Sequence, residues 1–120
     1  MIQDIFDPNW IRVTYGNTAS ISIDLKDPVT GEDITLTGND KVIFTVKSKR
    51  GEKVIEKVLT SEDADPDEPT NVLCNLSSEE TKLVTGEYYY DCLYVSEYGQ
   101  VTTFITSIFQ ICEAISTLEA

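Results

Sequence analysis

Apolar and polar residues alternate along most of this chain with the period of two that a half-buried β-strand requires. The alternation predicts strands over residues 10–15, 18–25, 34–36, 41–47, 53–59 and 71–76, and a long hairpin over residues 86–111. In the second strand Ala19, Ile21, Ile23 and Leu25 face inward, and in the fourth Val42, Phe44 and Val46 do so. Residues 53–59 are ambiguous, because Val54 and Val58 fall on one face and Ile55 and Leu59 on the other. Gly and Pro stand between the runs, at Gly16, Pro28, Gly31, Gly38 and Gly51, where they fix the geometry of reversals. The Ser77-Ser78-Glu79-Glu80 stretch has the form of a capping box and predicts one helical turn over residues 78–83. Residues 1–9 read as an extended lead-in, with Asp7-Pro8 as its turn signal.

The hairpin dominates. It is rich in Tyr, Val, Ile, Phe and Thr, residues that suit a pleated, half-buried surface. A two-residue turn at Tyr98-Gly99 sets its register, with Gly supplying a positive φ. Tyr88, Tyr90, Cys92 and Tyr94 then share a core face with Val101, Thr103, Ile105, Ser107, Phe109 and Ile111. The opposite face carries Tyr89, Asp91, Leu93 and Val95 with Thr102, Phe104, Thr106, Ile108 and Gln110. Tyr88 is expected to face Phe109, Cys92 to face Ile105, Tyr89 to face Ile108, and Leu93 to face Phe104. Tyr89, Leu93, Phe104 and Ile108 thus form an apolar patch on a face that should be polar, the mark of an interaction site unless residues 1–10 cover it. A hairpin is marginal alone, so the rest of the chain must supply a second sheet. About eight short strands with frequent turn signals indicate an all-β, antiparallel sandwich forming a single domain over residues 1–120.

Composition narrows the function classes. With 120 residues of which 41% are hydrophobic, the chain can build one real core. The net charge of −12 opposes binding to nucleic acid or anionic membrane, since both need positive charge against phosphate. No apolar run approaches the ~20 residues of a membrane span. The opening MIQDIFDPNW lacks a basic-then-apolar signal pattern, which predicts a soluble chain made in the cytoplasm. Cys74, Cys92 and Cys112 are odd in number, show no C-x-x-C spacing and lie on alternating strands, so they read as free, mostly buried thiols.

Candidate chemistry is sparse. The sequence contains no His, which removes the usual general base and the commonest transition-metal ligand. Its glycines are isolated at turns, so no phosphate-binding loop is present. These features predict a protein that is not an enzyme and uses no cofactor. Asp63, Asp65 and Asp67 open like a calcium loop, but Glu68 stands where Gly is needed and Cys74 where a bidentate Glu is needed. The stretch reads instead as a solvated acidic loop. Tyr88 follows the Leu83–Glu87 corner as the Tyr of an immunoglobulin-type tyrosine corner does, its hydroxyl expected to bond back to upstream backbone. Tyr90, Cys92 and Phe44 are further core residues. A disulfide-linked immunoglobulin domain would carry an earlier Cys, and none precedes Cys74.

Three stretches, TASISIDL (18–25), DKVIFTVK (40–47) and LSSEETKLVTGEYYYDCL (76–93), occur in order and continue into residues 99–111. Together they resemble the small β-sandwich domain at the N-terminus of phage baseplate upper proteins and in short phage structural proteins of Gram-positive hosts. Cys92 departs from that pattern, standing where the family usually carries an aliphatic residue. The resemblance implies an immunoglobulin-like sandwich and a virion component of a phage or prophage tail, synthesised in the bacterial host cytoplasm. It implies self-assembly into a homo-oligomer and contact with other tail or baseplate proteins. A carbohydrate- or calcium-dependent binding module of the same fold is the alternative.

Overall fold

The alternation is realised as seven strands in the computed structural model, which describes residues 9–113. They are β1 (Ile11–Thr14), β2 (Ala19–Asp24), β3 (Lys41–Lys47), β4 (Lys53–Leu59), β5 (Asn71–Leu76), β6 (Gly86–Val95) and β7 (Val101–Cys112). No α-helix occurs among the described residues; a 3₁₀ turn over Ser61–Asp63 is the one helical element. Five strands form a sheet in the order β1-β7-β6-β3-β4, and β2 and β5 form a second, two-stranded sheet.

The sheets are not wholly antiparallel, as the alternation had suggested. β1 runs parallel to β7, with Ile11 beside Phe109 and Val13 beside Ile111. A parallel neighbour needs a long crossover, and here nearly the whole chain lies between the first and last strands. Alternation reports which face a side chain takes and is silent on strand direction. The short strand expected over residues 34–36 is also absent. Ile34 donates one backbone bond to the Leu25 carbonyl at 3.0 Å, and Leu36 is buried from an irregular segment. Its alternation reflects packing into the core without a ladder.

Core residues come from the inner faces of both sheets. Ile23, Val72, Cys74 and Leu76 of the small sheet join Val42, Phe44, Val46, Tyr90, Cys92 and Phe109 of the large one. Phe44 sits at the centre, its ring 5.4 Å from that of Tyr90 and 6.3 Å from that of Phe109. The ambiguity in β4 resolves through its pairing. Val42 pairs with Leu59 and Val46 with Ile55, so Ile55 and Leu59 face inward and Val58 faces out. A register shift beside Lys47 then leaves Val54 packed against the core edge.

The hairpin turn differs from expectation in an instructive way. Three residues, Glu97-Tyr98-Gly99, separate Ser96 from Gln100, whose carbonyl accepts the Ser96 N–H at 2.9 Å. Gly99 takes φ +89°, the left-handed closing position of such a loop. An odd loop moves every partner by one residue, so Leu93 pairs with Thr103 and Tyr94 with Thr102. A β-bulge at Phe104 then absorbs one residue of β7 and restores the expected register. Tyr88 faces Phe109, Tyr89 faces Ile108 and Cys92 faces Ile105, as the sequence predicts.

Two ends of the molecule are defined by these strands. The β3–β4 turn closes at one end, where the Ser48 N–H meets the Glu52 carbonyl at 2.8 Å. β6 starts at that same end, because Lys47 pairs with Tyr89. β4 exits at the opposite end into the acidic stretch, where the β6–β7 turn also lies, since Lys41 pairs with Val95.

Candidate functional site

The outer face of the five-stranded sheet carries no described strand on top of it. Register places its side chains in rows across the strands. One row runs Thr103–Leu93–Ile43–Val58, and another runs Ile108–Tyr89–Lys47. Between them lies a polar row of Thr106, Asp91, Thr45 and Glu56. Tyr89 is 50% exposed and Val58 54%, while Leu93, Ile43 and Ile108 are half-buried by their neighbours. Of the four residues expected in one patch, the structure keeps Tyr89, Leu93 and Ile108 on this face but divides them into two rows.

Phe104 leaves it. As the bulge residue it turns to the inner side, packing with Ile105 against the core. The bulge also exchanges the faces expected for Thr102 and Thr103. Ile43 and Val58 replace Phe104 in the apolar row. Their signal lay in β3, which reads Val42-Ile43-Phe44-Thr45-Val46 without a charge on either face. A strand patterned that way is covered on both sides or presents an apolar surface.

The four core positions named from sequence are all where they were expected. Phe44 and Cys92 are wholly buried, and Tyr88 and Tyr90 nearly so. Tyr88 donates its hydroxyl to the Val84 carbonyl at 2.7 Å, tying β6 to the corner before it. The Tyr90 hydroxyl donates to the Asn9 carbonyl, and burial pushes the Tyr88 phenol above its ordinary range. No family model, curated protein or solved structure matches the chain.

Burial raises the Cys92 thiol to about 12, with Cys74 and Asp91 adding to the effect. Cys74 rises to about 11, again through burial, with Lys57 opposing. A thiolate is the nucleophilic form, so neither side chain is primed for chemistry near neutrality. Thiol reagents are expected to label Cys92 at the rate of unfolding only. Labelling of the native protein as fast as that of an exposed thiol would place Cys92 outside the core.

The acidic loop is held by its own side chains. Asp63 accepts the Thr60 N–H at 2.9 Å, and Asp65 accepts the Asp67 N–H at 2.9 Å. Glu62, Asp67 and Glu68 remain exposed, and no metal-holding cluster of three acids forms among the described residues. The helical turn expected over residues 78–83 is a hydrogen-bonded turn, although its capping box is real. The Ser77 N–H meets Glu80 Oε1 at 2.8 Å, and the Glu80 N–H meets Ser77 Oγ at 3.1 Å. Covering of the sheet by residues 1–8 lies outside the described residues, while the Arg12 guanidinium lies over the Trp10 ring, 5.0 Å from its centroid. A groove of about 550 Å³ opens between the β7 bulge and β2, lined by Trp10, Ile21, Tyr90, Phe104 and Ile105. Sequence alone could not foresee it, because it depends on the inward turn of Phe104.

Proposed function

We propose that this chain is a non-enzymatic structural protein of a phage or prophage tail or baseplate, acting by self-assembly and by contact with other virion proteins. The observation that carries the assembly part is the outer sheet face, where Leu93, Ile43 and Val58 form an apolar row across three strands. Single exposed apolar residues are ordinary, whereas aligned ones mark an interaction surface. The phage assignment rests on the resemblance carried by residues 18–25, 40–47 and 76–93. An immunoglobulin-like reading of the fold belongs with it. The order β7-β6-β3-β4 follows that of strands G, F, C and C′ in a variable-type domain, and β2 beside β5 follows B beside E. Tyr88 bonded to Val84 supplies the tyrosine corner. The binding-module alternative draws less support, since Asp63 and Asp65 already engage backbone amides.

The test uses the two most exposed members of the face. Val58→Asp with Tyr89→Asp places unpaired charge where a partner must desolvate it, without disturbing the core. The wild type is expected to sediment as an oligomer, and the folded double variant as a smaller species that has lost the contact through this face. A wild type that stays monomeric at millimolar concentration, or a double variant that assembles unchanged, would remove self-assembly through this face.

A further inference from the structure

Charge is segregated along the strands. Lys47, Lys49, Arg50, Lys53 and Lys82, five of the nine basic residues, gather around the β3–β4 turn. Three of them, Lys49, Arg50 and Lys82, line a groove of about 790 Å³ together with Glu52 and Glu87, and its apolar lining includes Val54, Leu83 and Val84, the last 83% exposed. At the other end of β4 lies the loop of residues 60–70, with Glu62, Asp63, Asp65, Asp67 and Glu68 and no basic residue. Asp67 and Glu68 are exposed between the exposed Pro66 and Pro69. That tip has chemistry complementary to the groove, two carboxylates for its cations and two proline rings for its valines.

The tip cannot reach the groove of its own molecule. β4 holds the two apart by its seven residues, about 20 Å at ~3.3 Å per residue. At about 0.15 M salt the Debye length is about 8 Å, so neither end feels the other within one chain. Present partners at the basic end are weak. Lys49 meets Glu87 at 3.8 Å, Lys82 meets Glu79 at 3.4 Å and Lys53 meets Glu56 at 3.1 Å, all exposed, while Arg50 has no ion pair among the described residues. Exposed pairs of this kind are readily exchanged for a better-placed partner.

We infer that the groove beside the β3–β4 turn takes the 66–69 tip of a second copy of this chain. Such a contact joins two different surfaces, so it is heterologous and propagates into a ring or a filament. It is distinct from the outer sheet face but rests on the same reading of the chain as a self-assembling protein. Because the monomer carries a net charge of −12, copies repel at long range and attract only where the ends meet.

The experiment separates this contact from the sheet face by working in the Val58→Asp, Tyr89→Asp background. Lys49→Gln with Arg50→Gln disables the groove, and Asp67→Asn with Glu68→Gln disables the tip; Asp63 and Asp65, which hold the loop, are untouched. Each variant alone is expected to self-associate at least tenfold more weakly than the background chain in sedimentation at about 0.15 M salt. Mixing the two leaves one intact groove and one intact tip, so a one-to-one dimer should form and should dissociate at about 1 M salt, where the Debye length is about 3 Å. Mixed variants that remain monomeric, with circular dichroism showing both folded, overturn the inference. So does undiminished association of either variant alone.

Discussion

Phe44→Ala is expected to lower the stability of the domain by about 3–5 kcal/mol, the range for truncating a fully enclosed aromatic ring. Phe44 is wholly buried in the middle of β3, between β4 and β6, so no edge is available through which the site can collapse. Its ring meets Tyr90 and Phe109, which come from two other strands of the same sheet. Removing it deletes the surface on which both rings rest and leaves a cavity facing Cys92, its cross-strand neighbour. A domain of this size has about 5–15 kcal/mol in total, so the variant should be near unfolding at physiological temperature. Urea titration should show a lower midpoint with an unchanged slope, the sign that stability and not compactness has changed. A loss below about 1 kcal/mol would mean that the two sheets close without this ring.

Much of this arrangement was legible before the structure. The bounds of β3 and β5 follow directly from alternation, those of β4 match although its faces were ambiguous, and the hairpin register holds for Tyr88, Tyr89 and Cys92. What failed depends on properties that alternation does not encode. Strand direction is one, as β1 shows. The parity of the hairpin loop is another, because Tyr98-Gly99 fits a two-residue turn and the close of a three-residue one equally well. The single warning lay in Val101-Thr102-Thr103-Phe104-Ile105, where the period of two lapses. Adjacent Phe104 and Ile105 both turn inward there, and only a bulge permits that. The assembly surface was legible in part for the same reason. Tyr89 and Ile108 lie on the side of the bulge where the register holds, and Phe104 lies in it.

Asp40→Asn is expected to weaken the domain at neutral pH by about 1–3 kcal/mol and to lose that disadvantage in acid. Asp40 is a buried carboxylate ahead of β3. Its Oδ1 accepts the Glu97 N–H at 2.8 Å; its Oδ2 accepts the Thr37 N–H at 3.2 Å and the Tyr94 hydroxyl at 3.2 Å. The group therefore joins the turn before β3 to the loop that closes the long hairpin. Burial by itself would raise its pKa, but the Glu97 and Thr37 amides and the Tyr94 hydroxyl outweigh burial and hold it below 3.8. A carboxyl lowered on folding stabilises the fold fully above its unfolded value, and that contribution fades as pH falls through the folded value. Glu80 behaves alike: burial is outweighed by Lys57, 2.7 Å away, and by the Ser77 amide, so it too sits below its ordinary 4.5. Thermal unfolding of the wild type should thus show stability declining below about pH 4, near the ordinary carboxylate range. Asn keeps an acceptor for one set of donors but presents an N–H₂ to the other, so the mismatch is present at every pH. The gap between wild type and Asp40→Asn should narrow steadily below about pH 4, as the carboxyl takes up its proton first in the unfolded chain and then in the folded one. A gap that stays constant across that range would show that Asp40 acts through shape alone, and not through its charge.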